Sequence, residues 1–503
     1  MVFGKIMAAA AAAAITFSAA LLPAAAAEEG ETEAETVAES FDDGLVTYNV
    51  YPNKEVKVAG CSTSALTISI QQKIDGYTVI GMEDAAFSNC TQLQKITINA
   101  DIKEMGEGVF YGCTSLESIE LPGSIKTIPS GTFAYCTSLE SVTLGEGTQT
   151  IDPMAFSYCE SLTEVNFPST LSTIGNYAFM YCRGLYSIDL PQTVTTVSAG
   201  LFYGCSSLNS FKVNKTCVSV GDYVFTGCTG LKAFEVEEGN TAYKIVDQML
   251  YTADGNTLIA YPAGLEHTEI NIPEGTKTIA PSAFFSCDKI KKVNFDKELE
   301  TIDEGAFDFC TSLRTLEIPQ NCKTIGGSAF ADCTVLNSVL LPQGLETIDD
   351  YAFYNCTSLK DITVPDTVKK IGEKALGYYE NEAETEENGN YASLGVGGFR
   401  ISGYSPSTAK TYAAHNNIKF TSLNFDMTRI IIIIVLAAVL LFAAVIIFRL
   451  IRRSRMTEDE KTAFAAKKAG LSFEEMRKKE EEEEKEGYTS IADDDEKDDE
   501  KSE

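Results

Sequence analysis

A cysteine recurs every 23 residues, at Cys90, Cys113, Cys136, Cys159, Cys182, Cys205 and Cys228, and the spacing resumes at Cys287, Cys310, Cys333 and Cys356. Phenylalanine stands three residues before each of these, and leucine three residues after, with Ile290 the one exception. Six and eight residues after the cysteine come paired apolar positions, such as Ile96/Ile98, Ile119/Leu121, Ile188/Leu190 and Leu316/Ile318. That alternation predicts a short strand with one buried face. Proline often follows and ends it, as at Pro122, Pro168, Pro191, Pro319, Pro342 and Pro365. A second apolar pair, Ile125/Ile128 or Leu345/Ile348 for example, then leads through Ala-Phe to the next cysteine.

A coil this short cannot bury its own apolar side, so successive coils must stack and share one core. A period in the range of about 20 to 29 residues with this leucine spacing predicts a leucine-rich repeat solenoid, a β-rich α/β repeat. Units such as Ala352-Phe353-Tyr354-Asn355-Cys356-Thr357-Ser358-Leu359, running on to Pro365, resemble the repeats of BspA-like leucine-rich repeat cell-surface proteins. The resemblance covers roughly residues 45–423. It includes an opening coil at Ile74-Asp75-Gly76-Tyr77-Thr78-Val79-Ile80 and a closing segment with a short helix from Gly403-Tyr404-Ser405-Pro406 to Lys419-Phe420. It implies binding to matrix proteins, although no motif in this chain specifies a ligand.

Cys228 and Cys287 are 59 residues apart, so one interval breaks the period. Two apolar runs, Met249-Leu250-Tyr251 and Thr257 to Pro262, flank Asp254-Gly255 there, which predicts a β-hairpin inside a modified coil at about residues 237–274.

The ends of the sequence set an expected topology. Lys5, an alanine-rich apolar run and small residues before Glu28 read as a signal peptide, residues 1–27. Residues 430–448 are nineteen apolar residues without a charge, enough for one transmembrane helix. Arg449, Arg452, Arg453 and Arg455 follow it, which places the charged tail, residues 449–503, in the cytoplasm and the repeats outside a plasma membrane crossed once. Within the tail, Thr457 to Lys485 has helical composition. The chain carries a net charge of −32, which disfavours nucleic acid and anionic lipid as partners of the repeats. Two glutamate-rich stretches read as solvated: a leader at residues 28–44 and a loop at about residues 379–394.

Fourteen cysteines in an exported chain ordinarily suggest disulfides. Their register argues instead for a buried ladder of reduced, structural cysteines, one per coil. Cys217 and Cys322 fit the same core, each twelve residues after a ladder cysteine, and only Cys61 stands outside it. No Cys-x-x-Cys pair suggests zinc. The two histidines, His267 and His415, lie in the modified coil and the closing segment without a shared nucleophile motif. No phosphate or dinucleotide fingerprint is present, so neither a cofactor, a metal nor an enzymatic activity is expected.

Binding residues are sought where residues vary within the constant frame. Between the buried strand positions stand Glu120, Thr143, Asn166, Asp189 and Lys212, which a solenoid would align on one exposed sheet face. Tyr135, Tyr158 and Tyr181 occupy one position in three successive coils, flanked by Tyr111 and Tyr203 one place earlier. Such a stripe is either an interface anchor or a structural stack. The function expected from these features is adhesin-like binding of a protein or glycan. A receptor signalling through a cytosolic partner of its tail is the alternative, and an enzyme stands third.

Overall fold

The computed structural model describes residues 37, 39–385, 391–424 and 427–494. They form two units that divide between Leu423 and Asn424. The expected signal peptide and the final acidic residues of the tail lie outside the described residues.

The first unit is the solenoid. A coil typically begins with a front strand, and the pairing between coils is parallel with a register of one repeat: Val142 faces Ile119 on one side and Val165 on the other. Alternating burial follows, since Val142 and Leu144 point inward while Ser141 and Thr143 sit at the rim. A two-residue back strand comes next, Thr127–Ile128, Thr150–Ile151 and Thr173–Ile174 stacking in register. The third side of the coil is a run of turns that carries the Ala-Phe-x-x-Cys signature.

Those turns have a geometry the repeat pattern did not announce. In every coil the residue five before the cysteine and the residue one before it have positive φ, for example Met154 (59°) and Tyr158 (61°), or Gly108 (60°) and Gly112 (68°). Glycine suits such left-handed positions because it has no Cβ to clash. The turns also bond coil to coil: Tyr158 N–H donates to the Met180 carbonyl at 2.7 Å, and Phe156 N–H to the Ala178 carbonyl at 2.9 Å.

Inside, the phenylalanines stack into a column. Phe110, Phe133, Phe156 and Phe179 have ring centroids 5.1–5.3 Å apart and are stacked nearly parallel. The column is looser at Phe202, 6.3 Å from Phe179 and 6.4 Å from Phe225. Ladder cysteines fill the space beside it, fully buried, and each thiol from Cys113 to Cys228 donates to the carbonyl of the ladder phenylalanine one coil earlier. Cysteine therefore acts here as a donor as well as a small apolar filler.

Two corrections concern the cysteines and the leader. Cys90 is not a free ladder thiol: it is bridged to Cys61, the residue that stood outside the register, while the other twelve cysteines are free and buried. Ordered structure also begins before Leu45. Glu39–Asp42, within the stretch read as a leader, pairs antiparallel with Val46–Tyr51 and starts the sheet that caps the first coil. Phe41 covers Tyr48 there at 5.2 Å, and that apolar contact holds an otherwise acidic segment in place.

The modified coil contains the hairpin around Asp254-Gly255 and one strand more. Tyr243–Val246, Met249–Thr252 and Thr257–Ala260 form an antiparallel meander, and Thr257–Leu258 then pairs in parallel with Thr278–Ile279 of the next coil. The strand Met249–Thr252 is buried on both faces. Leu250 belongs to the core on the N-terminal side, whereas Met249 and Tyr251 belong to the core on the C-terminal side.

At the far end, Asp361–Val364, Arg400–Gly403 and Lys419–Ser422 continue the front sheet. A closing helix, Thr408–His415, is capped by the Ser407 side chain, and the Tyr412 hydroxyl both donates to and accepts from the Leu376 backbone at 3.1 Å. The glutamate-rich stretch read as a loop is instead a pair of antiparallel strands, Tyr378–Thr385 and Tyr391–Gly395. Tyrosines at both ends, Tyr378, Tyr379 and Tyr391, supply the strand preference that the glutamates lack.

The second unit is helical. Met427–Ser454 extends the expected apolar run at both ends, and Ile431–Arg452 within it is long and apolar enough to cross a membrane. Two further helices follow, Glu458–Ala469 and Phe473–Asp494. Thr457 and Glu460 form a reciprocal cap at the start of the first, and Gly470 at φ 70° ends it. The two pack together, with Thr462 and Ala466 buried and the Thr462 hydroxyl 2.9 Å from the Glu480 carboxylate.

Candidate binding surface

Parallel pairing turns one varying position per coil into a row. Thr143 lies between Glu120 and Asn166 in register, so these three residues stand side by side on the front sheet. Glu120 and Asn166 are exposed and Thr143 is half-buried. The Asn166 amide donates to the Thr143 hydroxyl at 3.3 Å and to the Glu164 carboxylate at 3.1 Å, which fixes its orientation. Beside them a groove of about 620 Å³ crosses the first coils, lined on its polar side by Lys95, Thr97, Asn99, Ser118, Glu120 and Thr143. Hydroxyls and amides of this kind both donate and accept, so the groove can take a ligand rich in hydroxyl or peptide groups.

Asp189 and Lys212 do not join that row. The front sheet is broken where Asp189 falls, on an exposed segment with no strand, and Lys212 lies on a separate two-stranded sheet with its ammonium 3.7 Å from the Glu237 carboxylate. The expectation of one continuous face is thereby corrected. Its physical cause is a bulky residue in the preceding coil. Phe167 replaces the usual aliphatic residue eight after the cysteine, and its ring stands edge-on to Phe179, in the turn that ends the same coil, at 6.0 Å. Phe295 does the same to Phe307 at 5.8 Å, and there too the pairing to the following coil shrinks to Lys292 with Thr315.

The tyrosine stripe is a stack. Tyr135 and Tyr158 have ring centroids 4.5 Å apart and almost parallel, Tyr158 and Tyr181 are 4.9 Å apart, and Tyr203 closes the end edge-on at 5.5 Å. All three stripe residues occupy the left-handed position before the cysteine. They are half-buried, and burial pushes up the pKa of each phenol. Arg183 lies over the Tyr181 ring at 5.3 Å and pairs with Glu160 at 3.2 Å.

Sequence reasoning missed a polar seam beside the modified coil. There the turn segment is two residues shorter than in a standard coil, because Thr257 pairs with Thr278 but Glu269 with Lys292. Tyr261 takes the place of the ladder phenylalanine and stacks on Phe284 at 5.1 Å. Thr226 and Ser282 line a cavity of about 30 Å³ at this point, and both hydroxyls are buried without a partner. A space of that size holds one or two waters and no larger ligand. One coil on, Asp308 is also buried with an unpartnered oxygen, and desolvation holds its carboxyl well above the usual range. His267 is drawn into this region by the Tyr261 hydroxyl, 3.1 Å from its Nδ1, while His415 sits on the closing helix. Among the described residues no group of three side chains is arranged to hold a metal ion.

The sequence model of the BspA type leucine-rich repeat region matches residues 60–183, 149–260 and 259–382. Solved structures similar to the chain include a leucine-rich cell surface protein from Faecalibacterium prausnitzii A2-165, 20% identical over 77% of this chain and 96% of that one, with a TM-score of 0.49. A leucine-rich repeat protein from Bacteroides ovatus ATCC 8483 is 26% identical over 66% of this chain and 99% of that one, with a TM-score of 0.44. The pneumococcal vaccine antigen PcpA is 19% identical over 77% and 99%, with a TM-score of 0.44. No curated protein matches the chain.

Proposed function

Because the chain belongs to the BspA-type leucine-rich repeat family, we propose that it is a membrane-anchored surface protein that binds a protein or glycan ligand across its front sheet. The observation that carries this reading is the in-register row Glu120, Thr143 and Asn166 beside a groove of about 620 Å³. A rigid parallel sheet holds these polar groups at fixed spacing, so little ordering is required when a ligand docks. The helix Ile431–Arg452 supplies the anchor, with the arginine-rich end inside.

The test is a screen of the purified chain against immobilised matrix proteins and glycans, repeated with Glu120→Ala, Thr143→Ala and Asn166→Ala combined. Binding that is lost in the triple variant, with an unchanged thermal transition, supports the front sheet. A ligand bound equally by both proteins rules it out.

The folded helical pair after the apolar helix also supports a role for the tail, as in a receptor with a cytosolic partner. Capture of a cytosolic protein by residues 449–503 that requires both helices would favour that second reading.

A further inference from the structure

The helical pair leaves one face uncovered. Lys461, Phe464, Ala465 and Lys468 follow the i, i+3, i+4, i+7 spacing of a single helix face, opposite the buried Thr462 and Ala466. Together with Met456 and Met476 they line a groove of about 540 Å³, and Phe464 is 58% exposed. An exposed aromatic ring between two lysines is the pattern of a helix lying in the headgroup region of a bilayer, with the ring among acyl chains and the ammonium groups reaching the phosphates.

We propose that this helical pair docks flat on the anionic bilayer surface at the arginine-rich end of the apolar helix. The proposal rests on the reading that Ile431–Arg452 crosses a bilayer. Two observations choose lipid as the occupant. Only Arg455, Met456 and Thr457 separate the apolar helix from the pair, so the exposed face is tethered next to the membrane that the preceding helix would enter. The groove also carries its own cations. Lys461 and Lys468 both line the groove and stand on either side of Phe464, the arrangement that suits an anionic headgroup layer. Lys461 is held by Glu458 at 2.6 Å, but that carboxylate is 88% exposed and the pair is readily exchanged for a phosphate.

The chain has no tryptophan, so one introduced indole reports alone. The full chain carrying Phe464→Trp is reconstituted in vesicles of phosphatidylcholine and phosphatidylserine with bromine high on the acyl chains. A second chain carrying Phe442→Trp, within the apolar helix, is reconstituted with bromine near the bilayer centre. Docking predicts blue-shifted, quenched emission from Phe464→Trp, and Lys461→Gln with Lys468→Gln should weaken the docked population by about fivefold for each lysine removed. Quenching of Phe442→Trp alongside water-exposed, unquenched Phe464→Trp would overturn the docking proposal and leave the span intact. Failure of Phe442→Trp to be quenched would instead overturn the span. Quenching of Phe464→Trp that is indifferent to phosphatidylserine and to the lysines would overturn the anionic surface as the partner.

Discussion

The Cys159 thiol donates to the carbonyl of Phe133, one coil earlier, at 3.2 Å, and that same carbonyl accepts the Cys136 amide at 3.1 Å. Side chain and backbone thus join successive coils at one acceptor. Cys159→Ala should destabilise the solenoid by about 1 to 2 kcal/mol, through the lost bond and a small cavity, because the carbonyl keeps its amide partner. Denaturant unfolding of the two proteins measures this. A neutral substitution would show that the thiol contact contributes nothing.

Burial pushes the ladder thiols up, Cys113 and Cys205 to about 12, so almost no thiolate is available in the folded state near neutral pH. Alkylation without reductant should label none of the twelve ladder-type cysteines in native protein and all of them after unfolding, with Cys61 and Cys90 recovered as one linked peptide. Labelling of Cys61 or Cys90 without reduction would show that the bridge is absent.

Phe179 is fully buried between Phe156 and Phe202, while Asp189 is exposed. Phe179→Ala should therefore cost about 3 to 5 kcal/mol and Asp189→Ala less than about half a kcal/mol. Thermal unfolding distinguishes them, and similar shifts would invalidate the inside and outside assignments.

Tyr158 sits at a φ of 61°, a backbone conformation that disfavours any residue with a Cβ by roughly 1 kcal/mol. Both Tyr158→Gly and Tyr158→Ala lose the two ring stacks, but glycine recovers the backbone penalty. The glycine variant should be the more stable by about 1 kcal/mol. Replacing Tyr135, Tyr158 and Tyr181 together with serine should lower stability clearly, and loss of ligand binding from a triple variant that melts like the parent would assign the stripe to recognition instead.

Asp308 gives the solenoid a pH dependence with a definite sign. Its folded-state pKa is raised by desolvation and by Asp332, so the folded chain holds this proton more tightly than the unfolded chain. Stability contributed at this site is present at low pH and falls as pH rises above the unfolded carboxyl value of about 4. Asp308→Ala should therefore stabilise the protein at pH 8, by about 1 to 3 kcal/mol, with the difference shrinking toward pH 4. Parallel melting curves across that range test it.

The stacked solenoid was legible because its signal is repeated: the cysteine, phenylalanine and leucine positions each recur in register, and all of those side chains enter the core except the half-buried Phe225, which packs against it. The left-handed turns were harder to see. Glycine marks them at Gly108, Gly131 and Gly200, but Met154, Tyr177 and Tyr223 occupy the same place, and the stacking of neighbouring coils overrides their preference. The alignment of Glu120, Thr143 and Asn166 in one row was legible and failed at Asp189, where Ile188 and Leu190 keep the strand pattern while the ring of Phe167 spoils the pairing. Cys90 kept the ladder period and so gave no sign of its bridge. The off-register Cys61 was the available clue. The strands at Glu39–Asp42 and Tyr378–Thr385 were hidden by their glutamates, because pairing with an apolar neighbour decides a strand more than its own charge does.

The strand Met249–Thr252 separates two cores that share no phenylalanine column, and this has a mechanical meaning. In a stack where each coil touches only its neighbours, a pull applied at the two ends is carried in series, and a peeling front advances coil by coil until it meets a boundary of different construction. The antiparallel meander is such a boundary, since its strands must be sheared against one another while the parallel coils on either side are unzipped. Stretched between a fixed ligand and a membrane, the solenoid would lengthen in two instalments, with the meander acting as the stop between them.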